Sequence, residues 1–230
     1  HGKCTQCGST ENLHFDHILP FSKDKYESIM IVGPNATSYD ALIGNYHGLS
    51  NKAVNFVEGI TNAMDPATRI EYDLGCDYND TTHFGGIWAA GNAKLTIAIM
   101  GLSPVLEGEA GDAFLSKSGG DKTNISLPAS EIAYLKQLRA SVKTPIIVVI
   151  TAGSNVDVSS IEQYADAIIY AWYPGEQGGN ALADILLGTV SPSGRLPITF
   201  YKSTTSLPDY TSYAMKGRTY RYYDGPIQYP

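Results

Sequence analysis

Short apolar runs recur along the chain and alternate with amphipathic stretches. The runs Ser28–Val32, Arg69–Leu74, Leu95–Met100, Ile146–Ile150 and Ala167–Ala171 are each five or six residues long. Most are nearly continuous in apolar residues, as strands buried on both faces should be. Helical patterns fall between them, at Phe56–Met64, Phe84–Asn92, Pro128–Ala140 and Gly178–Leu187. Pro128 suits a first helical turn, and Ile132, Leu135 and Leu138 follow at helical spacing. Strand and helix alternating in this way predict βαβ units. The expected fold is α/β: a parallel-dominated open sheet with helices on both faces, an α/β sandwich of flavodoxin-like type. From Ser203 onward the chain is rich in Tyr, Ser, Thr and Pro and reads as surface loop.

Composition narrows the class. Of 230 residues, 43% are hydrophobic, enough for a packed core and against wholesale disorder. Sixteen basic residues against twenty-three acidic ones leave a net charge of −7. Domains that wrap nucleic acid through its phosphates carry a basic excess, so that partner is disfavoured. The longest apolar run, around Ile146–Ile150, is far short of the roughly 20 residues of a membrane helix, so no membrane partner is expected. Three cysteines, Cys4, Cys7 and Cys76, cannot build a disulfide framework. Cys76, in LGCDY, reads as a small buried residue rather than a nucleophile.

The character of the chain changes near residue 23. Residues 1–23 hold two of the three cysteines and three of the five histidines. This short N-terminal extension has few apolar residues, so its removal is expected to cost little stability. The main domain is expected over 24–230.

Open parallel sheets bind ligands beyond the carboxyl ends of their strands. Two such ends stand out. After Ala167–Ala171 comes WYPGEQGGNA, whose glycines match neither a Walker loop nor GxGxxG. Tight strand-to-helix packing is the reading there. After Leu95–Met100 comes GLSPVLEGEAGDAFLSKSGGDKTN, a long loop with no secondary structure expected, and such loops are usually functional. Its Glu107-Gly108-Glu109 pair is most simply a solvated acidic tip. The alternative is a general acid, because apolar or like-charged surroundings raise a carboxyl pKa and let it donate a proton. Asp112, Asp121 and Lys122 in the same loop have the chemistry to bind sugar hydroxyls through charge-assisted hydrogen bonds. No GxSxG elbow occurs.

The segments IMIVGPNA, LIGNYHG, GLSPVLEGEAGDAF, GGDKTNISLP, AWYPGEQGGNALADILLG, SPSGRLPITFYKS, LPDY and GRTYRYY follow one another in this order. From about Ile18 to the end, the chain resembles the C-terminal α/β sandwich domain of glycoside hydrolase family 3. The resemblance implies part of a retaining β-glycosidase, of β-glucosidase or β-xylosidase type, that hydrolyses O-glycosyl bonds without a cofactor. Retention needs two carboxyl groups about 5–5.5 Å apart. The resemblance places the nucleophile, an Asp in an SDW or SDY motif, on a barrel domain. This sequence contains no such motif, so a separate barrel is an implied partner and the chain alone is expected to be inactive. Aligning EGEAGD with the family forms SGEG and EAEG puts Glu109 on the proton donor, with Glu107 as the alternative. Asp121-Lys122 falls where relatives carry Asp-Arg, which implies substrate contacts. Lysine keeps the charge there but loses the planar fork.

The leader CTQCGSTENLHFDHILPFSK resembles the front half of an HNH endonuclease. Cys4 and Cys7 form a zinc half-site, and Asp16 and His17 stand where that family binds a catalytic metal and activates water. The second CxxC and the later Asn and His do not follow, whereas structural zinc takes four ligands. An incomplete site with weakly held zinc is therefore expected. ILPFSK, Ile18 to Lys23, suits both families and is a natural point of fusion between unrelated genes. Two other readings compete with the enzyme part: a carbohydrate-binding domain without turnover, and an HNH-type nucleic-acid module.

Overall fold

The computed structural model describes residues 18–209 and 211–229. Cys4, Cys7, Asp16 and His17 lie outside them. Five strands, β1 (Ser28–Val32), β2 (Arg69–Asp73), β3 (Leu95–Gly101), β4 (Ile146–Thr151) and β5 (Ala167–Tyr170), form a sheet in the order β2-β1-β3-β4-β5. Every neighbouring pair is parallel, in registers such as Ile29 opposite Leu95 and Ile97 opposite Ile147. This is the flavodoxin strand order. The helices are α1 (Asp40–Ile43), α2 (Phe56–Ala63), α3 (Ile87–Asn92), α4 (Pro104–Glu107), α5 (Ala129–Ser141) and α6 (Gly178–Leu186), with a short α7 (Thr219–Tyr222) near the end.

Alternate residues of each central strand feed two cores. Met30, Val32, Ala98, Met100, Val148 and Ile150 pack with Ala90 of α3 and Tyr134, Leu135 and Leu138 of α5. Ile29, Ile31, Ile97, Ile99, Ile147 and Val149 pack with Phe56 and Ile60 of α2 and Leu182 and Leu186 of α6. Both faces are thus covered, which explains why β1, β3 and β4 read as nearly continuous apolar runs.

Two glycines set the approach of α2 to α6. A Cβ on Gly59 would sit 2.1 Å from the carbonyl carbon of Gly179, and one on Gly179 would sit 1.9 Å from the Asn55 oxygen. The glycine turn therefore serves helix-to-helix contact rather than the strand-to-helix packing expected from sequence. Asn55 and Glu58 start α2 with a reciprocal capping box, each side chain accepting the other's backbone N–H at 2.9 Å.

Three local expectations change. The loop after β3 contains one helical turn, α4, opened by Pro104 in its first turn. The tail is not all loop, because β6 (Phe200–Tyr201) and β7 (Ile227–Tyr229) pair antiparallel. Phe200 is buried and meets the rings of Tyr170, Trp172 and Tyr229. Residues 18–23 also belong to the domain. Phe21 is 3% exposed, packs edge-on to Tyr26 at 5.2 Å and donates its N–H to the Leu186 carbonyl at 3.0 Å. Cheap removal does not extend to that stretch.

Candidate active-site loop

The chain leaves β3 at Gly101 and makes the single turn of α4, where the N–H groups of Leu106 and Glu107 both donate to the Ser103 carbonyl. Beyond it the loop folds on itself. Ala113 N–H donates to Glu109 O at 3.2 Å, Gly111 to Gly119 at 3.3 Å, and Leu115 back to Val105 at 2.9 Å. Ala113 is fully buried.

Glu107 and Glu109, two positions apart, stand in opposite environments. The Glu107 side chain is 7% exposed. Its Oε1 accepts from the Gly153 N–H and from the Tyr173 hydroxyl, each at 2.5 Å. Its Oε2 accepts from Ser154 Oγ at 2.5 Å, and Lys122 Nζ stands 3.9 Å away. Burial raises the Tyr173 and Tyr170 hydroxyls above the ordinary tyrosine range, and the charge of Glu107 adds to both. Tyr170 in turn donates to the Ser154 carbonyl at 2.5 Å.

Glu109 faces solvent. The hydroxyl of Tyr46, in the loop after α1, is close enough to feel its carboxylate. Interaction with Glu109 raises the Tyr46 hydroxyl, with smaller contributions from desolvation and the charges of Glu109 and Asp112. Tyr46 holds a left-handed backbone at φ 58°, uncommon for a residue with a side chain.

Lys122 turns inward. It is 22% exposed and donates to the Asn155 carbonyl at 2.7 Å. Burial lowers its proton affinity, and the charge of Glu107 opposes that shift. Asp121 is exposed, and its backbone carbonyl accepts from Ser118 Oγ at 2.5 Å. The structure thus joins Glu107 to Lys122 beneath the loop and leaves Glu109, Asp112 and Asp121 on its outer side. A cavity of about 610 Å³ beside β5, lined by Trp172, Val190 and Leu196, includes none of these residues. Among the described residues no group of three or more His, Cys, Asp or Glu is arranged to hold a metal.

Residues 12–229 match the glycosyl hydrolase family 3 C-terminal domain. The chain belongs to that family. It is 42% identical over 157 residues to the xylan 1,4-β-xylosidase of Xylanibacter ruminicola, a match covering 67% of this chain and 17% of that protein. It is 30% identical over 250 residues to the periplasmic β-glucosidase of Salmonella typhimurium, covering 92% of this chain and 31% of that protein. Among solved structures it superimposes on a family 3 exo-β-xylosidase in complex with a xylobiose aziridine probe. The TM-score is 0.76 at 27% identity, over 91% of this chain and 27% of that one. The chain therefore spans less than a third of the length of these relatives.

Sequence reasoning missed four members of this family 3 loop's surroundings: Tyr46, Gly153, Ser154 and Tyr173. Tyr46 and Tyr173 lie in LIGNYHG and AWYPGEQGG, two of the ordered segments, so a signal existed for them. Gly153 and Ser154 follow β4 in a stretch without a distinctive pattern, and only their position marks them.

Proposed function

We propose that this family 3 domain supplies the general acid/base, Glu109, to a retaining β-glycosidase acting on β-linked xylosides or glucosides. The relatives named β-xylosidase and β-glucosidase support the substrate class. The observation that carries the choice of residue is the contrast within the acidic pair. Both Glu107 oxygens are engaged by protein donors, while Glu109 faces solvent. In this reading Glu109 protonates the departing glycosidic oxygen and then takes a proton from the water that releases the sugar. A barrel partner contributes the carboxylate nucleophile. Asp121, on the outer side of the loop, contacts substrate. Lys122, engaged with the Asn155 carbonyl, contributes its charge from beneath. No cofactor takes part. Zinc at Cys4 and Cys7 is loosely held and comes off with mild chelation, without a role in hydrolysis.

The test is a chimera in which residues 18–230 replace the matching portion of the Xylanibacter ruminicola enzyme. Glu109→Ala is expected to lower turnover of an alkyl β-xyloside by about 10²–10⁴-fold. The loss should be smaller for a nitrophenyl β-xyloside, whose leaving group needs little protonation. An active chimera that tolerates Glu109→Ala on both substrates refutes the assignment.

A further inference from the structure

Glu107 ties together the turns that follow three consecutive strands. It sits on the loop after β3, accepts from Gly153 and Ser154 after β4, and accepts from Tyr173 after β5. Lys122 closes the same net from the far end of the loop, bridging Glu107 and the Asn155 carbonyl. Tyr170 fastens Ser154 from the β5 side. A buried carboxyl group with three hydrogen bonds from protein donors has little capacity left for a substrate oxygen. Its link to Glu109 is short. Only Gly108 intervenes, its N–H bonded to Pro104 O at 2.8 Å, and a Cβ there would lie 2.6 Å from that same oxygen. Two Cα–Cα steps span about 7 Å at most, so fixing Glu107 confines Glu109 to a small region.

We propose that Glu107 is a positioning residue: its buried carboxyl group pins the acid/base loop to the β4 and β5 turns and thereby sets where Glu109 stands. The functional meaning of this rests on the reading of Glu109 above, but the placement does not. Glu107 acts through Glu109 and has no contact with the sugar. The arrangement divides an acidic pair into an anchor and a donor. The anchor is satisfied inside the fold and the donor is left free to meet a substrate.

The experiment uses the chain itself, with Tyr46 as a reporter of where Glu109 lies. Tyrosines labelled with ¹³C at the ring carbon bearing oxygen are titrated by NMR, and Tyr46 is assigned with Tyr46→Phe. In the parent, Tyr46 is expected to ionise above the ordinary tyrosine value of about 10, held up by Glu109. In Glu107→Gln it should return toward the ordinary value, and amides between Gly108 and Lys122 should exchange at least about tenfold faster. Amides of β3 and β4 should stay protected. The double variant Ser154→Ala/Tyr173→Phe keeps Glu107 but removes two of its donors, and should reproduce the effect if Glu107→Gln does not fold. Glu109→Gln is the control. It should return Tyr46 to the ordinary value without loosening the loop amides. A folded Glu107→Gln or double variant with the parental Tyr46 titration and parental loop exchange overturns the proposal. Failure of Glu109 as acid/base in the chimera would leave this titration unchanged, so the two readings fail separately.

Discussion

Asn35 donates its side-chain amide to Thr151 Oγ1 at 2.6 Å, joining the chain ends of β1 and β4 across the end of β3. The same amide reaches the Leu102 carbonyl at 3.0 Å, and the Tyr78 hydroxyl donates to Asn35 Oδ1. Asn35 is fully buried. In a sheet of this order the succession of strands reverses between β1 and β3, and ligands of such folds bind in that crevice. Here protein side chains fill it. The candidate chemistry lies instead on the loop that arches out beyond β3.

That network makes Asn35 structural, and its removal should be expensive. Asn35→Ala leaves the Leu102 carbonyl and the Tyr78 hydroxyl without their buried partner and opens a cavity. We expect a loss of about 2–4 kcal/mol by urea denaturation. With Thr151→Val added, the total should fall short of the sum of the single changes, because both remove the same bond.

Glu131 gives the stability a pH dependence of its own. It is fully buried on α5, with Oε2 accepting the Gly101 N–H at 2.9 Å and Oε1 without a hydrogen-bond partner among the described residues. Burial pushes its carboxyl well above the ordinary glutamate range, and the Gly101 bond opposes this only in part. A carboxyl whose folded value is raised holds its proton longer in the folded state. Its contribution is whole below the unfolded value of about 4.3 and is lost as pH rises through the folded value. Glu131→Gln cannot ionise and keeps an acceptor for Gly101. Its stability relative to the parent should rise by roughly 1–3 kcal/mol between pH 4 and pH 8. Urea midpoints at the two pH values measure this, and an unchanged difference would contradict it.

The contact between α2 and α6 should not tolerate a methyl group. Gly179→Ala would place Cβ against the Asn55 carbonyl, a backbone atom that cannot move aside cheaply. Despite the better helix propensity of alanine, we expect a loss of about 3 kcal/mol or more in thermal or urea unfolding. A neutral effect would show that the two helices can separate without cost.

Purified chain by itself should not release nitrophenol from aryl β-glucosides or β-xylosides at an enzymatic rate. A general acid contributes about 10²–10⁴-fold, whereas enzymes reach about 10⁶-fold or more. The remaining factor is the covalent route through a carboxylate nucleophile and a pocket that orients the ring. The assay is run beside Glu109→Ala. Robust turnover lost in that variant would require a nucleophile within this chain, with Asp112 and Asp121 the first to replace.

The sequence by itself determined the parallel sheet, its five strands and the long helices. Their signal is local: β1, β3 and β4 are buried on both faces, and α5 repeats its apolar residues at helical spacing. Ordered segments likewise pointed to the family and to the acidic loop. Tertiary structure alone decided what surrounds each glutamate of the pair, with Glu107 enclosed by protein donors and Glu109 facing solvent. Glu107 is bound by groups 46, 47 and 66 positions away, so the alignment that ranked Glu109 first carries no trace of that anchorage before those turns come together. The inward turn of Lys122, the meeting of Gly59 with Gly179, and the burial of Phe21 have the same origin. So does the pairing of β6 with β7, since strands of two and three residues are too short to show a period. Periodicity reports which face of an element is buried. Which atoms meet there depends on contacts that exist only after distant loops have closed.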